Sequence, residues 1–232
     1  HLLQTRSQSS ETKTMGQQPS KIQTKYYHDF VDKLPSLKGK TVAVTGCTTG
    51  TGNIVARTFI KKGASNVLLL NRPSERATKV YEELSAEAAS DETKVEAIDC
   101  DLQDFESVRK AAESIKEKYD SLDILCNNAG IMAQEDKATK DGYDIQMQTN
   151  HHSHFLLTKE LYPLLQKANE LRGEARVANH SSGARNGASK LQQEYFGMNG
   201  GNLGGNGDSM FFGGGRWVRY RQSKLANCVF TQ

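Results

Sequence analysis

The sequence has little of what would take a chain out of water or lock it covalently. Its longest apolar run, Val67 to Leu70, is four residues, against the roughly 20 that a membrane-spanning helix needs. No charged-then-apolar leader pattern opens it, so a soluble protein is expected. Cysteine is scarce: Cys47, Cys100, Cys126 and Cys228 are scattered, with no C-x-x-C pair. That argues against a disulfide frame and for reduced thiols in a cytosol-type compartment. An excess of either charge is missing too. Lys and Arg number 30 against 27 Asp and Glu, interspersed, for a net charge of +3, so no nucleic-acid surface is marked and the charges read as a solvated face.

What remains suits one sizeable domain with a real core plus extensions, in 232 residues. Residues 1–36 are polar, rich in Gln, Ser, Thr and Lys, and without sustained periodicity, which predicts a flexible tail. Within it Met15-Gly16-Gln17-Gln18-Pro19-Ser20 fits the M-G-x-x-x-[ST] pattern. If Met15 is the true start, N-myristoylation would add a peripheral membrane contact; otherwise the match is a coincidence in a polar tail. A chain that starts at His1 and stops at Gln232 inside a helical pattern reads as a partial frame, with the last strands of its sheet beyond the end.

From residue 37 strand and helix patterns alternate. Strands are expected at Thr41–Thr45, Asn66–Leu70, Lys94–Ile98, Leu122–Cys126 and Arg176–His180. Apolar helical stripes lie between them at Ile54, Val55, Phe59 and Ile60, at Val80, Tyr81 and Leu84 after a Ser74 cap, and at Val108, Ala111, Ile115 and Tyr119. A long helix over Ile145–Lys167 is expected to kink at Pro163. This βαβα order predicts an α/β fold, a doubly wound parallel sheet of Rossmann type, with a cofactor at the carboxyl ends of its strands.

The first strand runs straight into Gly46, Cys47, Thr48, Thr49, Gly50, Thr51 and Gly52. Glycine lets the backbone come close to a ligand, and the free amides of the following helix turn point at an anion, so the junction suits the phosphates of a dinucleotide. The spacing is G-x-x-x-G-x-G, not the commoner G-x-G-x-x-G, and a tight strand-to-helix corner is the bland alternative. A carboxylate is absent from the end of the second strand, where it would bind a ribose 2′-hydroxyl and repel a 2′-phosphate. Asn71 and Arg72 stand there instead. An amide beside a forked guanidinium predicts NADP(H) as cofactor in preference to NAD(H).

Two further elements, read with Thr45 to Gly52, carry a family resemblance. Thr45–Gly52 resembles the T-G-x-x-x-G-x-G turn of short-chain dehydrogenases/reductases, Asn127-Asn128-Ala129-Gly130 their N-N-A-G element, and Tyr220-Arg221-Gln222-Ser223-Lys224 their Y-x-x-x-K. Asn150-His151, His154-Phe155-Leu156-Leu157-Thr158 and Ser223-Lys224-Leu225-Ala226-Asn227 are similar to the retinol dehydrogenase-like and WW-domain oxidoreductase-like branch. The resemblance implies cofactor contacts from Asn128, Ala129 and Gly130, from Asp101 and Leu102 at the adenine, and from Tyr220 and Lys224. It implies Ser182 as the hydroxyl that orients a substrate carbonyl, and Asn150 as support for a water linked to the lysine. Asp101 would otherwise be a helix cap, the Ser181-Ser182 pair a turn, and Asn150 a buried amide satisfied by backbone. The implied substrate is a small lipophilic aldehyde, ketone or retinoid; homo-oligomerisation stays open. A non-catalytic NADP(H)-binding sensor or scaffold and a protochlorophyllide reductase-like enzyme are the alternatives.

The proton chemistry can be argued from spacing. On a helix from near Val218, Tyr220 and Lys224 share a face. A free tyrosine, with pKa about 10, is inert near neutrality. An ammonium about 4 Å away in a medium of effective dielectric near 20 contributes about 4 kcal/mol, enough to bring a phenol close to the working pH for general acid–base catalysis. His151, His152 and His154 crowd together without a carboxylate or cysteine at ligand spacing, so no metal site is expected. Residues 183–217 form a Gly-rich insertion between Ser182 and Tyr220, expected either as a mobile element that shapes or covers the substrate pocket or as disordered filler.

Overall fold

Five strands form one parallel sheet in the order β3-β2-β1-β4-β5: β1 Thr41–Thr45, β2 Asn66–Asn71, β3 Lys94–Asp99, β4 Ile124–Asn127 and β5 Arg176–Asn179. The computed structural model describes residues 26–89, 92–210 and 213–232, so the Met15–Ser20 pattern lies outside the described residues. Every residue of β1 is buried, as a central parallel strand covered on both faces requires. Alternation along the strands then sorts the core into two layers. Ala43, Leu68, Leu70 and Leu125 face one way, with Ile115, Leu157 and Leu161. Val42, Val44, Val67 and Leu69 face the other, with Ala56, Ile60 and Leu84.

The helices that supply those layers are α2 Gly50–Lys61, α3 Glu75–Ala88, α4 Phe105–Lys118 and α6 Ser153–Arg172. As expected, the Ser74 hydroxyl caps α3, accepting from the Ala77 amide at 3.2 Å. The strand order reverses at β1, whose neighbours are β2 and β4, and this switch point is where an open α/β sheet leaves a crevice at its carboxyl edge.

Three expectations change. The polar segment before residue 37 is not all tail: helix α1, Tyr27–Lys33, buries Val31 completely. It is held to α2 by Tyr27 Oη with Thr58 Oγ1 at 2.7 Å and followed by Lys62 Nζ donating to the Val31 carbonyl at 3.1 Å; one apolar residue and two polar tethers leave no periodicity to read. The long helix is interrupted. It begins as α5, Ile145–Met147, passes through a π-helical turn at Gln148–His152, and continues as α6 through Pro163 to Arg172. π-turns insert one residue and re-aim the side chains around them, here at Asn150.

The Gly-rich insertion is packed. It carries 3₁₀ turns at Gly183–Gly187 and Gln193–Phe196 and feeds α7, Gly215–Thr231. Its buried Tyr195 and Leu203 sit with Met147 and Ala226 in a small core of their own. Glycine is needed where backbone meets backbone: a Cβ on Gly200 would lie 2.6 Å from the Tyr143 carbonyl oxygen.

Candidate active site

Gly46 turns the chain off β1 with φ +66°, and a Cβ there would lie 2.8 Å from Ala129. The close approach lets the segment after β4 brace the loop. Asn128 Nδ2 donates to the carbonyls of Thr45 at 3.0 Å and Gly46 at 3.1 Å, and Thr45 Oγ1 accepts from the amides of Asn128 and Ala129, both at 3.0 Å. From the other side, Asn71 Oδ1 accepts from the Cys47 amide at 2.9 Å and its Nδ2 lies 3.1 Å from Cys47 Sγ. Burial pushes the Cys47 thiol up to about 11, so it stays a neutral spacer. The cap residue of α2, Thr49, accepts no amide with its side chain, which leaves the first-turn N–H groups of that helix open to a ligand.

A cleft of about 860 Å³ opens over this loop. Gly46, Thr48, Thr49, Thr51 and Gly52 form its floor, Asn71, Arg72, Asp101 and Leu102 one end, and Asn128, Ala129 and Gly130 the other. Gly50, at φ +59°, turns the chain into α2 without lining the cleft. Asn71 lines it, yet its amide is engaged with Cys47, so Asn71 acts on the loop. Arg72 and Arg76 both border the cleft beside Glu75. Asp101 Oδ1 accepts from the Gln103 amide at 2.9 Å, while the cap of α4 is Asp104.

The cleft ends at Gly130, Ile131, Thr149 and His180, and behind them two helices meet. Asn150, fully buried, accepts from the Ile131 amide at 2.8 Å and donates to the Ile131 carbonyl and to Ser223 Oγ, each at 2.9 Å. Lys224, 4% exposed, donates from Nζ to the His180 carbonyl at 3.0 Å, and its ammonium stands 6.0 Å from the centre of the Tyr220 ring. Burial lowers the Lys224 pKa to about 8. A Cβ on Gly130 would lie 3.1 Å from Lys224 Nζ and 3.3 Å from Asn150 Oδ1, so the absent side chain gives both groups access to the cleft's end.

Residues 40–196 match the family profile described as short chain dehydrogenase. The chain belongs to that family. It is 39% identical over 200 residues to an uncharacterized oxidoreductase, C736.13, of Schizosaccharomyces pombe, covering 85% of this chain and 56% of that one. It is 35% identical over 196 residues to human retinol dehydrogenase 11, covering 84% and 55%, in keeping with the branch its motifs resemble. A crystal structure of an uncharacterized protein from Mycobacterium paratuberculosis shares 32% identity at a TM-score of 0.63, covering 87% of this chain and 63% of that one. This short chain dehydrogenase thus spans a little over half the length of these two curated relatives.

Within it the remaining site expectations fall unevenly. Tyr220 and Lys224 lie on α7, and Asn150 faces them through Ser223. Ser182 Oγ accepts from the Ala184 amide at 3.2 Å and caps a 3₁₀ turn; among the described residues no hydrogen bond joins it to Tyr220. Ser181 is committed elsewhere, donating to the Lys224 carbonyl at 2.7 Å. His154 bridges Thr45 and Asn150, His151 meets Asn227, and His152 packs on Tyr143, while His151 and His152 also pack on each other and on Phe196. Among the described residues no group of His, Cys, Asp and Glu is arranged to hold a metal, and no helix is long and apolar enough to cross a membrane.

Two contributors escaped the sequence reading. Asn227 Nδ2 donates to the carbonyls of Asn150 at 3.0 Å and His180 at 3.2 Å. Its signal was available, since Tyr220, Ser223, Lys224 and Asn227 follow the 3-4-7 spacing of one helix face. Arg219 is fully buried beside Tyr220. Its partners Asp136 and Asp144 lie so far along the chain that no local pattern announces the cluster.

Proposed function

We propose that this chain forms the cofactor-binding and proton-transfer part of an NADP(H)-dependent oxidoreductase that interconverts a carbonyl and an alcohol. The observation that carries the reading is the convergence behind Gly130: a buried lysine and a buried asparagine meet where an anion-binding cleft ends, on the helix that bears Tyr220. The cleft fits a dinucleotide by its own features, namely side-chain-free approaches at Gly46, Gly52 and Gly130 and an uncapped helix N-terminus. Arg72 and Arg76 would hold a 2′-phosphate. The floor of the Gly loop would hold the pyrophosphate, and Asp101 and Leu102 the adenine end. When bound, the cofactor supplies the two-electron redox chemistry.

The chain's own part is acid–base. Tyr220 gives its phenolic proton to the substrate oxygen in reduction and takes it back in oxidation. Lys224 stands beside Tyr220 as a cation, 6.0 Å from the ring centre, and Ser182 positions the substrate oxygen once its hydroxyl is free of its turn. Asn150 keeps Ile131 and Ser223 in register. Similarity to retinol dehydrogenase 11 supports a lipophilic aldehyde, ketone or retinoid as substrate. Tyr220→Phe in the full-length protein is expected to cut turnover of such a substrate by about 10²- to 10⁴-fold while leaving the NADPH dissociation constant within about twofold. Retained turnover would overturn the assignment.

A further inference from the structure

The insertion and the helix that carries Tyr220 are joined by one buried cation. Arg219, at 0% exposure, donates from Nη1 to the carbonyls of Leu203 and Gly205 and from Nη2 to the carbonyl of Gln134, all at 2.9 Å. Its Nε lies 3.0 Å from Asp144 Oδ2 and its Nη1 3.7 Å from Asp136 Oδ2. Both carboxylates also accept from backbone amides, Asp136 through the same oxygen that faces Arg219 and Asp144 through its other one. Asp136 Oδ2 accepts from the amides of Leu203 at 2.9 Å and Gly205 at 2.7 Å, and Asp144 Oδ1 accepts from Gln146 and Met147, starting the helix that leads to Asn150. A guanidinium is suited to this, because its planar fork of five donors can satisfy several oxygens at once where an ammonium has three donors on a point charge.

We infer that Arg219 is a positioning residue: it fastens the Gly-rich insertion as a fixed wall of the site and, through its place on α7, sets the pose of Tyr220. The geometry favours coupling over mere support, since one side chain holds the insertion, the segment before the π-turn and the residue adjoining Tyr220. Backbone packing at Gly200, where the amide donates to the Gly142 carbonyl at 3.1 Å, closes the same contact without any charge. No described residue of the insertion lines the cleft, so loosening the wall should spare cofactor binding.

The inference rests on the proposed role of Tyr220, and the test separates the two. In the full-length protein Arg219→Met, Arg219→Lys and Gly200→Ala are compared with the parent by hydrogen exchange, NADPH calorimetry and steady-state turnover. Arg219→Met and Gly200→Ala are each expected to speed exchange of the Leu203 and Gly205 amides and of the first turns of α7. They should lower kcat by about ten- to a hundredfold with NADPH affinity held within about twofold, and Arg219→Lys should recover part of the loss. Gly200→Ala carries the test if removal of the buried charge prevents folding. Unchanged exchange in α7 while the insertion loosens, or kcat and NADPH affinity falling together, would overturn the coupling. A parent protein that turns over no carbonyl would sink the proposed function and leave the exchange result to stand.

Discussion

His154 joins Thr45, at the end of β1, to the Asn150 carbonyl in the π-turn, and its protonation gives a quantitative test of that link. Nδ1 faces the Asn150 carbonyl at 3.0 Å, and since a carbonyl only accepts, Nδ1 carries the proton. Nε2, 2.9 Å from Thr45 Oγ1, is then the lone pair to which the Thr45 hydroxyl donates, while that oxygen accepts the two amides after β4. A second proton on the ring finds no acceptor. Burial, with Lys224 and His151 as like charges, pushes the imidazole down to about 4, from an ordinary value near 6.5. The unfolded chain therefore binds a proton that the folded chain refuses. The stability lent by the neutral ring is complete above about pH 6.5 and is lost as pH falls through that value toward about 4. Linkage puts the loss at about 2 kcal/mol between about pH 7.5 and about pH 5, rising to about 3 kcal/mol once the folded form also protonates. His154→Gln keeps a donor and an acceptor and cannot titrate. Urea unfolding followed by Trp217 fluorescence at the two pH values should show the parent losing about 2 kcal/mol more than the variant. His151 and His152, also lowered by burial, remain in both proteins and cancel. Equal losses would refute the hydrogen-bond assignment.

Arg72→Ala should weaken NADPH binding by about tenfold, with the double change Arg72→Ala, Arg76→Ala weaker still, and leave NADH nearly unchanged, because both arginines are solvent-exposed at the cleft and only the phosphorylated cofactor presents an anion to them. Calorimetry with both nucleotides checks this, and equal affinities in the parent would show that the end of β2 does not read the 2′-phosphate. Gly130→Ala should crowd Lys224 Nζ and Asn150 Oδ1 and cost about tenfold or more in turnover at a nearly unchanged melting temperature; a variant as active as the parent would separate this convergence from catalysis.

Much of the fold was legible because parallel strands buried on both faces leave continuous apolar runs, as in Val67–Leu70, and the helices between them keep a clean stripe. Ends shifted by a residue or two, as at β4, which starts at Ile124 where Leu122 was expected. The placement of the candidate site was legible where a residue type constrains the backbone or the helix face: glycines that must be approached, a Tyr and a Lys one helical turn apart, an arginine at the end of β2 that borders the cleft. It was opaque where function comes from long-range pairing. Nothing near Arg219 points to Asp136, and the glycines of residues 197–215 read as flexibility although Gly200 meets the Tyr143 carbonyl, Gly214 the Gly207 carbonyl and Gly215 the Gly204 carbonyl too closely for a side chain. The π-turn at Asn150 was hidden for a similar reason: its inserted residue is stabilised by bonds to Ile131 and Ser223, which lie on other segments.

Among the described residues, 12 of the 18 buried polar or charged ones fall in two stretches, 144–154 and 219–227, which are joined by the bonds of Asn150 to Ser223 and of Asn227 to Asn150. Burying such groups costs free energy unless each finds a partner, and here most partners are main-chain carbonyls. Lys224 is the instructive member. A carboxylate partner would have neutralised the ammonium and raised its pKa; the His180 carbonyl, shared with Asn227, accepts the hydrogen bond without cancelling the charge. Burial is then left to act, lowering the pKa to about 8. At neutral pH the ammonium remains mostly protonated, its field not cancelled by an anion among its described partners and directed at the face of Tyr220. An oxygen without net charge therefore does for this lysine what an acid would not: it fixes the side chain's position without cancelling its charge.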